Sequence, residues 1–458
     1  MEAMNLKQVK DMSVAARPVA ARLADFAGAV TPTGPLAGMK IVHLGTYPPR
    51  KCGIATYTQD VVSAVHTNTL AAPPAVIAMT APGDNAKEMG YGWPVAHLVA
   101  QDDPAEYVEA ARMVKRAGFD LVNIQYEHGI FGGAGGSYLN HFLDAIKGVV
   151  PAVATLHTVL PEPEAHYAQA VRDLATRVER IVVLNSRAVP LLRDAYGIGA
   201  DKVSVIPHGT PNVERSRRGL VRARLHVEGQ TVLSTFGLIG PGKGLEHAIA
   251  AVAAVTEAHP TLHYYILGAT HPGIVRESGE SYREGLMAQA AAAGIAHRVH
   301  FVNQYLALDE LTDWLLATDV YITPYLNPNQ ITSGTLAYAV AAGKPVISTP
   351  YLHAVELLEN GRGVLTPFND PAGMAVRLDA LLRDDAGRAR MEASAWAFGR
   401  TSVWSEVAHR YGEVFSAATA GTVPSPNASA AISVALGRTA AEEDALASLT
   451  CITKPVRC

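Results

Sequence analysis

At 458 residues the chain is too long for one ordinary hydrophobic core, so at least two domains are expected. It is 49% apolar and 17% charged, a balance that suits sizeable buried cores; Lys+Arg 38 against Asp+Glu 42 leaves a net charge of -4, which excludes a global electrostatic pull towards nucleic acid or anionic membrane. Three cysteines (Cys52, Cys451, Cys458) make no disulfide framework and point to a reducing compartment, the cytoplasm, and no apolar run approaches the roughly 18 residues that span a bilayer.

Residues 1–38 are Ala-rich with scattered Arg and Lys and lack a continuous apolar segment, so a loosely ordered extension is expected there and not a secretory signal. Ordered structure is expected from "MKIVHLG", a short buried-strand pattern followed by a Pro/Gly loop and an amphipathic helix over about Thr56 to Val65. Further strands are expected at "PPAVIAM", "FDLVNIQY", "PAVATLH", "RIVVLNS" and "VSVIPHG", separated by helical segments such as "PAEYVEAARMVKRAG" and "EAHYAQAVRDLATRVER". Strands alternating with helices imply a parallel sheet covered on both faces.

The pattern then restarts. "TVLSTFGLI" leads through a Gly-rich turn into "KGLEHAIAAVAAV", whose Leu245, Ala248, Ile249 and Val252 fall on one helical face. Strands are expected again at "LHYYILGA", "VHFVNQY", "DVYITPY", "PVIST" and "GVLTP", and the polar stretch "PNVERSRRGLVRARLHVEGQ" reads as the linker. The expected division is an extension (1–38), two doubly wound α/β domains (39–215 and 216–400), a returning helix (401–416) and a disordered tail (417–458). Ligands of such sheets sit outside the carboxyl ends of the strands, here in the cleft between domains.

Four stretches carry candidate chemistry. In "TFGLIGPGKGLEHAIAAV", Gly240 begins a tight loop and Lys243 stands at the mouth of a helix, where free amides, the helix dipole and the ammonium favour an anion; a βα turn with an exposed lysine is the plainer alternative. In "NPNQITSGTLAYAVAAGKPVIST", Thr332 or Ser333 caps a helix that begins near Gly334 and ends at Gly343. Asn327, Asn329 and Gln330 add polarity that capping does not require, and Gly334 admits a ligand close to the backbone, so the loop through Thr335 suits a phosphate and sugar hydroxyls. In "YPPRKCGIATYT", Gly53 allows close approach at a helix N-terminus or is required by the turn alone, and Cys52 is expected to pack. His128 and His157 each follow a strand and should face the cleft, with His208 near the domain junction.

These residues resemble those of the retaining glycosyltransferases of family 4, which have the two-domain GT-B fold. The likeness runs from about Met39 to Tyr411, through "PPRKCGIATYT", "ATLHT", "KVSVIPHGT", "FGLIGPGKGLEHAIAAV", "AGKPVISTP", "GRGVLTPFND" and "VWSEVAHRYGEVF". The resemblance implies transfer of a hexose, mannose or glucose type, from a nucleotide-sugar (GDP-, UDP- or ADP-hexose) to a saccharide or small-molecule hydroxyl, with no cofactor and no metal. It places His157 beside the transferred sugar, Gly53 near the donor, Lys243 and the Ser333–Thr335 amides on the diphosphate, and the last helix back on the first domain. A homo-oligomer is compatible with it.

Two departures stand out. The Gly-Arg that usually precedes the family's lysine is Gly237–Leu238 here, and Arg283 or Arg362 are the candidates to replace the missing charge. The family's two glutamates, eight positions apart, fall on Gln330 and Tyr338. Gln330 can still hydrogen-bond a sugar hydroxyl, Tyr338 can contact a ribose or base, or pack, and Glu356 is the nearest remaining carboxylate that could serve catalysis. A glycoside phosphorylase, a sugar-nucleotide epimerase and a non-catalytic nucleotide-sugar-binding protein are alternatives on the same fold.

Overall fold

The computed structural model describes residues 36–420, together with residue 34 and without residue 85. Most of the expected extension and of the expected tail therefore lies outside the described residues. Within the stretch expected to be loose, Leu36 is fully buried against the first core.

The first sheet contains β1 (Ile41–Gly45), β2 (Ala75–Thr80), β3 (Val95–Ala100), β4 (Leu121–Tyr126), β5 (Ala152–Leu156), β6 (Arg180–Val183) and β7 (Val203–Val205). They pair in parallel in the order β3-β2-β1-β4-β5-β6-β7. The second sheet contains β8 (Thr231–Phe236), β9 (Leu262–Leu267), β10 (Val299–Val302), β11 (Val320–Thr323), β12 (Val346–Ser348) and β13 (Gly363–Leu365), ordered β10-β9-β8-β11-β12-β13. Each sheet reverses direction of winding once, between β1 and β4 and between β8 and β11. A crevice opens beyond the carboxyl ends of the strands at such a switch point.

Central strands are buried on both faces, which is why they read as near-continuous apolar runs; all six residues of β4 are buried, Asn123 and Gln125 included. The strand the sequence reading omitted, β3, is an edge strand whose residues, Val99 apart, are only partly buried or exposed, and its His97 interrupts the apolar signal. The helix Leu245–Val255 buries Leu245, Ala248, Ile249 and Val252, as its periodicity predicts.

The polar stretch expected as a linker is folded onto the second sheet. It contains the helix Arg218–Arg224, whose Arg218 and Arg222 both pair with Asp319, while Asp319 also accepts from the Val232 amide at the start of β8. Basic residues at a spacing of four, meeting one acid, turned a polar connection into an anchored helix.

The last helix, Trp404–Thr419, extends three residues beyond the expected boundary and returns to the first domain. Its Val407, Tyr411, Val414 and Phe415 share a core with Ile41, Tyr57, Val61 and Leu121. At about 1.5–3 kcal/mol for each large apolar side chain buried, this docking is a major tie between the halves. The two chain crossings also bond to each other: the Thr210 amide donates to the Ser402 carbonyl (2.8 Å) and the Trp404 amide to the Thr210 carbonyl (3.0 Å). No described helix is long and apolar enough to cross a membrane.

Candidate active site

The β8–β11 switch point is walled by two loops that lock together. After β8 the chain forms a short 3-10 turn, Pro241–Lys243, and Gly244 follows in the left-handed region at φ 62°. The loop after β11 runs past it, with the Leu326 amide donating to the Gly242 carbonyl (3.1 Å). Lys243 Nζ sits 3.9 Å above the ring centre of Tyr325 on that second loop. A cation–π contact restrains the ammonium but leaves its charge unneutralised, and no carboxylate pairs with it among the described residues. A shallow hollow lies here, lined by Phe236, Gly237, Leu238, Lys243 and Tyr325. Gly240, expected beside the anion, is buried and faces Ile274 instead.

Hydroxyls connect the lysine's aromatic seat to the neighbouring helix mouth. Tyr325 OH is 2.8 Å from Thr335 Oγ1, and Thr335 Oγ1 is 3.1 Å from Ser333 Oγ. Ser333 is the N-cap of the helix Gly334–Ala341, its Oγ accepting from the Leu336 amide (3.3 Å). The Ser333 amide donates to His353 Nδ1 (2.7 Å), and burial pushes that imidazole down to about 3, so it is a neutral acceptor. The amides of Gly334 and Thr335 have no acceptor among the described residues. Two unpartnered N–H groups on a helix mouth beside an unpaired lysine are chemically suited to an anion. Thr332 and Gln330 shape the loop: Gln330 Nε2 donates to the Thr332 carbonyl (3.1 Å), and the Gln330 carbonyl accepts from the His353 amide (3.1 Å).

The opposite wall belongs to the first domain. His157, at the end of β5, is buried, with its Nε2 2.9 Å from Gln125 Oε1 and its ring edge-on to Tyr57 at 4.8 Å. Burial, then the neighbouring His208, hold it at about 3, so it is neutral at physiological pH. His208 packs edge-on to Tyr57 (4.9 Å) and lies 6.0 Å from Tyr338 of the second domain. Gly53 opens the helix Gly53–Asn68 with empty space where a side chain would be, as close approach requires. Its N-cap is Cys52, whose sulfur accepts from the Ala55 amide (3.3 Å), a capping role where packing was expected.

Several expectations are corrected. Gly334 is kept small by a protein group: an added Cβ would stand 2.8 Å from His208 Nε2. Gly334→Ala is therefore expected to cost about 1–2 kcal/mol after its helix-propensity gain, and to slow turnover. Combining it with His208→Ala should relieve the loss; equal penalties with and without the imidazole would show that this contact is not the reason.

Tyr338 is buried, and its hydroxyl donates to Asp60 Oδ2 across the cleft (3.1 Å). Glu356 is occupied by the first domain: its carboxylate accepts from Ser186 Oγ (2.8 Å) and from the Ser186 and Arg187 amides (3.2 Å each), capping the helix Ala188–Tyr196. It joins the domains and makes no bond with the Lys243 group. His128 begins a 3-10 turn and its ring packs against Tyr126 and Tyr167. Arg283 is paired with Glu280, and Arg362 stacks on Phe398 while donating to the Leu357 and Glu356 carbonyls, so neither joins Lys243.

Asp60, which sequence reasoning missed, is, after Glu356, a second carboxylate that bridges the domains. Burial raises its carboxyl from 3.8 to about 6, and the Tyr338 hydrogen bond opposes the rise. The folded chain thus favours the protonated acid. The resulting penalty is absent below pH 4, grows as pH rises to about 6 and is complete above, up to about 3 kcal/mol. Asp60→Asn should unfold at a higher temperature than the parent at pH 7–8, the gap closing towards pH 4; a gap independent of pH would refute the assignment.

The helix Gly334–Ala341 is thus the shared element, meeting Lys243 and Tyr325 through Thr335 and the His208–Tyr57–His157 cluster through Gly334 and Tyr338. The sequence profile of Glycosyltransferase Family 4 matches residues 53–211, and that of Glycosyl transferases group 1 matches residues 230–384. A D-inositol 3-phosphate glycosyltransferase of Xylanimonas cellulosilytica is 30% identical over 303 residues, covering 61% of this chain and 69% of its own length. A phosphatidyl-myo-inositol mannosyltransferase of Mycobacterium leprae is 28% identical, covering 55% and 60%. Among solved structures, Anabaena Alr3699/HepE in complex with UDP and glucose superposes with a TM-score of 0.65 at 17% identity, over 82% of this chain and all of that one. Sucrose-phosphate synthase from Thermosynechococcus elongatus does so with 0.65 at 16%, over 84% of this chain and all of that one. The two doubly wound sheets, both profile matches and the 30% identical relative make this chain a family 4, group 1 glycosyltransferase of GT-B fold.

Proposed function

We propose that the protein transfers a hexose of mannose or glucose type from a nucleoside-diphosphate sugar to a hydroxyl of a saccharide or other small polyhydroxylated molecule, without metal and with retention, in the cytoplasm. One observation carries the reading: the unneutralised Lys243 ammonium beside the unpartnered Gly334 and Thr335 amides. That arrangement suits a diphosphate whose negative charge grows as the sugar departs. The names of the relatives, an inositol phosphate glycosyltransferase and a mannosyltransferase, fit a hexose donor and a small polyol acceptor.

The disposition of the carboxylates supports retention. Gln330 is an amide, Glu356 is committed to Ser186 and Arg187, and Asp60 is held by Tyr338. With no carboxylate nucleophile assigned, the acceptor oxygen attacks the anomeric carbon on the face the phosphate leaves. The C–O bond to phosphate breaks, the C–O bond to the acceptor forms, and the departing phosphate oxygen takes the acceptor's proton. Neutral His157 contributes a hydrogen bond to the sugar and not a positive charge.

Thermal unfolding against a panel of nucleoside diphosphates and their sugars tests this: a ligand at 100-fold its Kd stabilises by about 2.7 kcal/mol. The matching donor should then yield a product of unchanged anomeric configuration in the presence of chelator. Stabilisation by no nucleotide, or release of sugar 1-phosphate from a disaccharide and inorganic phosphate, would sink the proposal and favour a phosphorylase.

A further inference from the structure

Beneath the first domain's wall a row of polar side chains crosses the otherwise apolar core. His66 Nε2, near the end of the helix Gly53–Asn68, is 3.1 Å from His43 Nε2 on β1. His43 Nδ1 is 3.0 Å from Asn123 Nδ2 on β4, Asn123 Oδ1 accepts from Gln125 Nε2 (3.4 Å), and Gln125 Oε1 is 2.9 Å from His157 Nε2. His43, Asn123 and Gln125 are fully buried. Three polar residues in the two central strands have a cost that apolar replacements would not, so their joint retention calls for a reason.

The row has a fixed direction. Burial holds His43, His66 and His157 below the ordinary imidazole range, so each ring is neutral, with one donor and one acceptor nitrogen. The side-chain amides set that direction: Gln125 donates through Nε2 to Asn123 Oδ1, which turns Gln125 Oε1 to His157 and Asn123 Nδ2 to His43 Nδ1. His43 accepts at Nδ1 from the Asn123 amide, so it donates through Nε2 and His66 Nε2 must accept. Asn123 Oδ1 accepts from Gln125 Nε2, whose amide also faces the Tyr411 hydroxyl, and Gln125 Oε1 is left to accept from His157. Reversing any one link would set two donors or two acceptors face to face.

We propose that His66, His43, Asn123 and Gln125 form a positioning relay that holds His157 in its Nε2–H tautomer and so leaves Nδ1 as the ring's acceptor. Resting on the site reading above, that acceptor is offered to a hydroxyl of the bound sugar. The relay residues touch no substrate; they act through His157, because the tautomer of an imidazole is set by the partner of its other nitrogen.

Long-range ¹H–¹⁵N spectra of the full chain labelled in histidine, with His157 assigned by its loss in His157→Gln, read the tautomer directly. The parent should show His157 neutral and protonated at Nε2 at pH 7. Asn123→Leu frees the Gln125 amide to turn, and should give mixed or Nδ1–H signals with kcat/KM lowered about tenfold, the worth of one hydrogen bond. Asn123→Asp keeps an acceptor for Gln125 while losing the donor to His43, so it should turn His43 to its Nδ1–H tautomer yet retain the parent tautomer of His157, a rescue that mere packing would not produce. An Nδ1–H or charged His157 in the parent overturns the relay even if Asn123→Leu fails to fold, as does an unmoved tautomer in Asn123→Leu. A tautomer that shifts while kcat/KM holds supports the relay and instead removes His157 from the substrate, against the site reading.

Discussion

Lys243→Ala is expected to lower kcat/KM about a hundredfold and to abolish the thermal stabilisation given by a nucleoside diphosphate, while leaving unfolding of the free protein nearly unchanged. The first part follows from electrostatics: a preorganised cation at a developing negative charge contributes about 3 kcal/mol, and a bare helix mouth supplies the rest. The second follows from the lysine's surroundings. Nζ rests on the Tyr325 ring with no carboxylate partner, and an exposed cation–π contact contributes only about 0.5–1 kcal/mol. Lys243→Arg should recover binding in part, since the charge returns on a longer fork. The comparison is made by titrating the same nucleotide into parent and variants and following turnover. Unchanged nucleotide affinity and turnover in Lys243→Ala would move the anion site elsewhere.

Gly244→Ala is expected to do more harm to the fold than Lys243→Ala, although it adds a single methyl. Gly244 stands at φ 62°, and an added Cβ would lie 2.1 Å from the Pro324 carbonyl oxygen. The obstacle is backbone that leads directly into Tyr325, so it cannot swing aside as a side chain would. Left-handed strain of about 1 kcal/mol adds to an overpacking cost of about 1–3 kcal/mol, giving a loss near 2–4 kcal/mol. The two loops must part, Tyr325 leaves the ammonium, and nucleotide binding falls with stability. Chemical denaturation and donor titration on one preparation check both. Gly53→Ala, where nothing lies within 4 Å of the added atom, is the control for stability.

How far the sequence discloses this molecule depends on the range of each interaction. β1, β4 and β11 are legible because a strand buried on both faces needs an unbroken apolar run, and Ser333 is legible as a cap because its partner is three residues away. The edge strand β3 is not, since only Val99 of its six residues is fully buried. The Lys243 turn is found from glycine and lysine spacing, yet its Tyr325 seat arrives from another βα unit. Tyr338 and Asp60 are 278 residues apart and belong to different domains, so no local pattern pairs them. The same holds for His208 against Gly334, where a glycine expected to admit a ligand has the protein's own imidazole as its close neighbour. Glu356 was sought as a catalytic carboxylate because it was nearest in sequence; in space Ser186 and Arg187 are nearer.

The paired crossings at Thr210 and Ser402–Trp404 have a mechanical consequence. The described chain passes between the two sheets twice, and both passages are bonded at one place. Two independent tethers would let the halves slide and twist freely, whereas two tethers fastened together restrict them to swinging about one axis. Any opening of the cleft to admit a donor must therefore pivot at this seam, with the Asp60–Tyr338 and Ser186–Glu356 bonds breaking as the jaws part.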